Sequence, residues 1–339
     1  MNIALIVGGI SSEREVSLTS GRAVLKALRE IGHNVKVIDP IYGDKKVSEE
    51  IIFRDLVSGE YPTKDAMEKL LKESRRKVID CVNSELFNDT DIAFLGLHGK
   101  YGEDGRIQSL LDLRGIKFTG SDVLSSAVAM DKNVTKMIFR NYGIPTADWI
   151  VISNKDEINT KDILSRINLP FVVKPNDEGS TVGLTIVKNE DDIKSAIELG
   201  FKYTDKIMIE KYVKGRELTV SILGNTAYPL IEIKPKEGFY DYLHKYTKGM
   251  TEYICPAELS EEISGIAQNL ALKAYQSLGC SVYSRVDFLL NSEDELYCLE
   301  VNTLPGMTAL SLVPKAVQAK GMGFNELIEN IIGLSLNKY

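Results

Sequence analysis

Arg285-Val-Asp287-Phe-Leu-Leu-Asn-Ser-Glu-Asp-Glu-Leu-Tyr297-Cys-Leu-Glu300-Val-Asn302 is the stretch whose reading decides the fold. Two runs that alternate apolar and polar residues flank the polar segment Ser292-Glu-Asp-Glu295, the pattern of an antiparallel hairpin. With a two-residue loop at Glu293-Asp294, the numbers of cross-strand partners sum to roughly 587, by hairpin pairing rules. Asp287 then faces Glu300 and Arg285 faces Asn302. Side chains alternate at period two, so these four share one face while Val286, Phe288 and Val301 take the other. Opposed carboxylates repel unless a cation sits between them, and oxygen donors without His or Cys suit Mg²⁺. A solvated acidic strand face is the alternative for the ribbon taken alone.

Working outward, Lys174-Pro-Asn-Asp-Glu-Gly179-Ser180-Thr181-Val-Gly183 follows an apolar strand and precedes another. Small residues let backbone N–H groups approach an anion, and a lysine at a strand end adds a point charge. It reads as a phosphate lid or as an ordinary turn. It is not a Walker A loop, because the lysine precedes the glycines. Ile207-Met-Ile-Glu210-Lys211-Tyr212-Val213, leading through Gly215-Arg216 to Glu217, reads as a strand end able to hold adenine and ribose, or as a surface connection.

The first 122 residues have the rhythm of an open parallel sheet: strand Asn2 to Val7, an apolar helical period from Val16 to Ile31, strand Asn34 to Ile38, and strand Asp91 to Leu97 ending at His98. Ser12-x-x-Glu15 matches a capping box at the start of that helix. The charge-rich residues 41 to 90, with a helix near Lys64 to Glu85, read as peripheral decoration. Further on come a helix at Asn133 to Tyr142, strands near Ala147 to Ile152, Phe171 to Lys174, Leu184 to Val187 and Leu218 to Leu223, and helices at Ser260 to Leu278 and near Asn325. The expected units are 1–122, 123–211 and 212–339, and an aperiodic, Tyr-rich lid loop is expected over 234–257.

With 339 residues, 44% of them hydrophobic and 26% charged, the chain is long enough for two or three compact units. No stretch reaches the length of a membrane span, and the apolar start lacks a basic leader, so neither a membrane nor a secreted protein is expected. A net charge of −7 and no basic, aromatic-interleaved block speak against nucleic acid. Four cysteines far apart indicate neither disulfides nor zinc, which fits a cytoplasmic location.

Taken in order, Glu-Arg-Glu-Val-Ser-Leu at 13–18, His-Gly-Lys-Tyr-Gly-Glu-Asp-Gly at 98–105, Asp131-Lys132, Lys174 to Gly183, Phe239-Tyr-Asp-Tyr with Lys245-Tyr246, and Glu300-Val-Asn-Thr-Leu-Pro-Gly-Met307 resemble the D-alanine:D-alanine ligases of the ATP-grasp superfamily. The resemblance runs from about residue 3 to residue 330, and six motifs in order outweigh the bland reading of any one. It implies an α/β fold, with a Rossmann-like N-terminal domain followed by two ATP-grasp subdomains, and a cytoplasmic homodimer. The implied activity is ATP-dependent ligation of two D-alanines through a D-alanyl phosphate, for peptidoglycan synthesis.

By motif match, the resemblance puts Lys132 and Lys174 on the α- and β-phosphates, Glu210, Lys211 and Val213 at adenine and Glu217 at ribose. It makes Asp287, Glu300 and Asn302 ligands of Mg²⁺ or Mn²⁺, with two ions expected. Arg285 and the Gly306 backbone would form the oxyanion site. Glu15 would orient the ammonium of the first D-alanine with His98 nearby, and Ser311, Leu312 and Lys245 would receive the second. Glu15, Ser180 and Tyr246 would form a hydrogen-bonded trio joining first helix, phosphate loop and lid. Thr181 departs from the serine many relatives carry, and Ala309-Leu310 from a more polar pair. A D-serine or D-lactate ligase is the nearest rival, and a nucleotide-binding regulator without turnover the rival from another class.

Overall fold

The strand alternation read from the sequence builds three separate sheets. The computed structural model of the chain describes residues 1–54, 64–153, 159–236, 250–308 and 311–339. The elements run β1 (Asn2–Ile6), α1 (Arg14–Glu30), β2 (Asn34–Ile38), α2 (Glu49–Ile52), α3 (Lys64–Asn83), β3 (Ile92–Leu95), α4 (Arg106–Leu113), α5 (Val123–Met130), α6 (Lys132–Asn141) and β4 (Trp149–Ile152). They continue with α7 (Thr160–Arg166), β5 (Phe171–Pro175), β6 (Thr185–Val187), α8 (Ile193–Gly200), β7 (Ile207–Lys211), β8 (Arg216–Leu223), β9 (Thr226–Ala227), β10 (Ile231–Pro235) and β11 (Thr251–Ile254). The chain closes with α9 (Glu261–Ser277), β12 (Tyr283–Leu290), β13 (Leu296–Asn302), α10 (Leu312–Gln318) and α11 (Phe324–Leu336).

The first sheet is parallel, in the order β2-β1-β3, and Phe118 adds a parallel bridge to Ala93. Strands β1 and β3 are apolar on both faces, as the covered part of a sheet requires, while the edge strand β2 exposes Asn34 and Lys36. Helix α1 buries Leu18, Val24, Leu25, Ala27 and Leu28 against it. The expected capping box does not form: the N-cap is Glu13, which makes no side-chain capping bond, and Ser11 Oγ instead accepts from the Glu13 N–H. Residues 41 to 90 are more than decoration. Ile52, Phe53, Cys81, Val82, Leu86 and Phe87 are buried in the same core as β1 and β3.

That core also takes in Leu312, Val313, Ala316 and Val317 of α10 and Leu327, Ile328, Ile331 and Ile332 of α11. The last two helices therefore share an interior with the first sheet, a connection no local pattern reveals. The middle sheet is antiparallel, β4-β7-β5-β6, with Ile163 of α7 and Ile193, Ala196 and Ile197 of α8 against it. The third sheet runs β11-β10-β8-β12-β13, with β9 beside β8. Its inner face packs on Ala267, Ala271 and Ala274 of α9, and Ala129 and Phe139 from the α5–α6 pair join that cluster. Residues 123–142, expected with the middle unit, thus bury their apolar side in the core of the third.

The expected lid loop is narrower than 234–257. Lys234 and Pro235 still belong to β10, and Thr251 to Ile254 form β11, paired antiparallel to it. Residues 237–249 of that loop, with Phe239, Lys245 and Tyr246, lie outside the described residues. All four cysteines are free, and among the described residues no helix is long and apolar enough to cross a membrane.

Phe288, fully buried on the inner face of β12, supports the strand that carries Asp287 on its other side. Phe288→Ala is expected to cost about 3–5 kcal/mol through lost transfer energy and a cavity. A denaturation midpoint equal to that of the parent chain would show that this face is not part of the core.

Candidate active site

The β12–β13 hairpin pairs Arg285 with Asn302, Val286 with Val301 and Asp287 with Glu300, as the sequence predicts. The route to that register differs. The loop is three residues long, Ser292-Glu293-Asp294, closed by Asn291 N–H donating to Glu295 O at 3.0 Å, with Asp294 in the left-handed region at φ 59°. Asn291 Oδ1 accepts from the Glu293 and Glu295 N–H groups and stabilises the turn. Between Asp287 and Phe288 the register shifts, with Phe288 facing Cys298, so Leu299 is an extra residue in β13. One added loop residue and one bulge cancel, and the two carboxylates still meet.

Asp287 is 7% exposed. It accepts from Thr219 Oγ1 on β8 at 2.6 Å and from Arg285 Nε and Nη2 at 2.9 and 2.8 Å, which fixes the plane of the guanidinium. Glu300 pairs with Lys132 Nζ at 3.1 Å. Burial works against the charge on Lys132, but Glu300 and more distant carboxylates raise its pKa overall. Asn302 Oδ1 accepts from the Leu304 N–H. The face thus offers two carboxylates and an amide oxygen whose charge is offset by protein cations. Hard oxygen donors in this number fit a magnesium ion that completes its shell with phosphate oxygens.

Lys132 also donates to Glu178 O at 2.7 Å, which brings the 174–183 loop over the hairpin. That loop is anchored from three sides. Lys100 reaches Asp177 and Glu178 at 3.0 and 2.8 Å, Ser12 Oγ donates to Glu178, and Asn176 Oδ1 accepts from the Asn133 N–H. Ser180 and Thr181 both have positive φ, 54° and 62°, a strained backbone for side chains other than glycine.

Ser180 Oγ donates to Glu13 Oε1 at 2.5 Å. The carboxylate expected there was that of Glu15; the structure substitutes Glu13, because Glu13 is the N-cap residue turned toward the loop, whereas Glu15 already lies in the first turn of α1. Glycine is required on both sides of Glu13: a Cβ on Gly179 would lie 3.1 Å, and one on Gly99 3.0 Å, from Glu13 Oε2. Glu103 was not singled out from the sequence. Its Oε1 accepts from the Gly99 N–H, and its buried Oε2 has no partner among the described residues. Burial, then the Glu13 charge, push its carboxyl up to about 8, so it is protonated at neutral pH.

His98 joins two units. Leu304 O can only accept, so His98 Nδ1 carries the proton and donates to it at 2.8 Å. In the neutral ring Nε2 then accepts from Ser20 Oγ at 3.2 Å, and Ser20 Oγ accepts from the Met307 N–H. This chain positions the 303–308 segment, including Gly306, against Ser20 in the second turn of α1. Ser311 Oγ accepts from the Thr308 N–H at 2.9 Å, and Leu312 is buried. Lys245 and Tyr246 lie outside the described residues.

In the middle sheet, Glu210 is 4% exposed. Its Oε2 accepts from Lys174 Nζ at 2.5 Å and its Oε1 from Lys136 Nζ, a lysine within the helix expected over Asn133 to Tyr142 that no motif singles out. Burial alone would raise the Glu210 pKa, but Lys174 and Lys136 hold it down to about 2. Burial lowers the pKa of Lys136. Lys211 is exposed, Val213 half-buried beyond the end of β7, and Glu217 sits on β8 opposite Ile233.

Two antiparallel sheets, each presenting lysines or carboxylates to the space under one loop, and a parallel sheet abutting them, make up the ATP-grasp fold. The family model described as the D-ala D-ala ligase N-terminus matches residues 2–121, and that of the D-ala D-ala ligase C-terminus matches residues 138–333. The D-alanine--D-alanine ligase of Aquifex aeolicus is 42% identical over 334 residues, covering 98% of this chain and all of that one. That of Halalkalibacterium halodurans is 41% identical over the full length of both. Among solved structures, a D-alanine--D-alanine ligase from Bacillus anthracis matches with a TM-score of 0.78 and 36% identity over 100% of this chain and 98% of its own. The VanG D-Ala:D-Ser ligase of Enterococcus faecalis matches at 0.80 with 29% identity, over 98% and 99% of the two chains. This chain belongs to the D-alanine–D-alanine ligase family.

The His98 clamp has a pH signature. Burial, the largest cause, takes its pKa from 6.5 to about 4. The folded value lies below the unfolded one, so the contribution is complete above pH 6.5 and is lost as pH falls toward 4. About 3 kcal/mol of stability should disappear across that window, at 1.36 kcal/mol per unit. Chemical denaturation at several pH values should show this slope, and His98→Gln should flatten it; an equal slope in both chains rules the clamp out.

Proposed function

We propose that this chain joins two D-alanine molecules, with cleavage of ATP to ADP, through a D-alanyl phosphate, for peptidoglycan precursors. The observation that carries the reading is the face of β12 and β13 on which Arg285, Asp287, Glu300 and Asn302 lie together, under a loop that reaches Glu13 through Ser180.

A carboxylate is a poor electrophile, so its oxygen is first phosphorylated and phosphate becomes the leaving group. Asp287, Glu300 and Asn302 would hold Mg²⁺ or Mn²⁺, two ions by the resemblance, which when bound offset charge on the transferring phosphoryl group. Lys132 and Lys174 serve the phosphates, and Glu210, Lys211 and Val213 the adenine, with Glu217 at the ribose. Glu13 takes the role expected of Glu15: its carboxylate, held by Ser180, faces the ammonium of the first D-alanine, and the protonated Glu103 beside it keeps the local charge at one unit. Arg285, its plane set by Asp287, and the Gly306 N–H face the developing tetrahedral oxyanion. Ser311, Leu312 and Lys245 receive the second D-alanine. The loop and lid exclude water from the acyl phosphate. A cytoplasmic location and a homodimer accompany this reading.

Purified protein incubated with ATP, Mg²⁺ and D-alanine should release ADP and yield a product with the mass of the dipeptide. A product only with D-serine or D-lactate would move the reading to that branch. Nucleotide binding without any product would indicate a regulator. Glu300→Gln should lower turnover by about 10²-fold or more if a metal sits there; full activity in that variant refutes the metal assignment.

Glu13→Gln separates the two acidic candidates. Loss of a charge-assisted contact is worth about 1.5–3 kcal/mol, or roughly ten- to a hundredfold in kcat/KM for D-alanine. Glu15→Gln should stay close to the parent, and the reverse ranking would restore Glu15 to the site.

A further inference from the structure

We propose that Lys136 is a positioning residue of the nucleotide pocket: it is the permanent counter-ion of Glu210, while Lys174 is an exchangeable one that leaves for the phosphates as the base amine of the nucleotide takes the vacated Glu210 Oε2. The inference rests on the reading of Glu210 as the carboxylate that meets adenine.

The two lysines differ in what surrounds them. The Lys136 side chain is fully buried on α6. Its Nζ donates to Glu210 Oε1 and, at 2.5 Å, to Thr146 Oγ1, and it lies 5.2 Å from the centre of the Trp149 ring. Thr146 Oγ1 in turn donates to Cys298 O of β13 at 2.8 Å. These contacts occupy the ammonium and tie it to both antiparallel sheets, so Lys136 has no route to a phosphate. Lys174 keeps 12% of its side chain exposed and stands on β5, the strand that runs into the 176–183 loop.

A buried carboxylate that loses its only cation is left uncompensated, and such a loss is strongly opposed. Glu210 has two cations, so it can release one and remain ionised within a closed pocket. Phosphates then gain Lys174 while an exocyclic amine, a donor, replaces it at Oε2. A base with a carbonyl at that place presents an acceptor to a carboxylate, cannot displace Lys174, and so weakens phosphate binding as well as base binding. Recognition of the two ends of the nucleotide is thereby coupled through one carboxylate. Without Lys136, Glu210 would retain Lys174 as its sole partner.

The test uses the full chain and calorimetric binding of ATP, ITP and inorganic tripolyphosphate. Lys136→Met should raise the Kd for ATP about tenfold or more and shrink the preference for ATP over ITP by a similar factor, as expected for one charge-assisted contact. The KM for D-alanine should not change. Adding Glu210→Gln to Lys136→Met should recover ATP affinity, because a neutral amide needs no counter-ion. A folded Lys136→Met protein with parental affinity and preference overturns the proposal.

Should Lys136→Met fail to fold, Glu210→Gln alone decides. Releasing Lys174, it should bind tripolyphosphate several-fold more tightly than the parent; equal or weaker binding overturns the proposal. A parent protein that binds no ATP sinks the functional reading itself, whereas a parent that binds ATP and couples D-alanine beside an indifferent Lys136→Met protein sinks only this inference.

Discussion

Two carboxylates forced to face each other across adjacent strands are the constraint on which the rest of this molecule depends. Asp287 and Glu300 share a register position, and their mutual repulsion in partly buried surroundings has to be offset. The protein does so with Arg285 on the same strand and with Lys132 from a different element. Lys132 in turn grips the backbone of the 174–183 loop, so the charge on the hairpin helps set where the loop sits. From Glu178 the connection passes to Lys100 and Ser12 in the first unit. Electrostatic demand at one hairpin is thus distributed across all three sheets.

The hairpin was legible because alternation and a polar turn are local signals, and local signals survive into the fold. Its register came out right although two details differed. A two-residue loop was expected where Asp294 takes a left-handed conformation that lengthens the turn, and a bulge at Leu299 restores the pairing. Neither an aspartate at positive φ nor a bulge without glycine leaves a clear mark in composition. Strands β1 to β8 and the helices α1, α6 and α9 follow from periodicity in the same way, whereas β9 to β11 left no such pattern.

What sequence reading missed depends on contacts between distant residues. Ser12-x-x-Glu15 is a sound capping pattern, yet Ser11 and Glu13 form the helix entry, because Glu13 is drawn to Ser180, which lies 167 positions away in the chain. Lys136 carries no motif of its own; its importance arises only when β7 brings Glu210 beside α6. The residues between 41 and 90 read as charge-rich because α3 exposes most of its surface, while the few buried side chains that make them part of the core are too sparse to form a period.

One interior holds both β1 and α11, with Ile3, Leu5 and Ile6 from one end of the chain in the same cluster as Ile328, Ile331 and Ile332 from the other. During synthesis this has a temporal consequence. The parallel sheet gains α1 early but stays without the helices α10 and α11 until residues 312–336 have been made. A nascent chain of this protein therefore carries an unfinished apolar surface while the intervening residues are made, and the middle sheet, whose cluster among the described residues draws on residues 150 to 209, can close its own interior in the meantime.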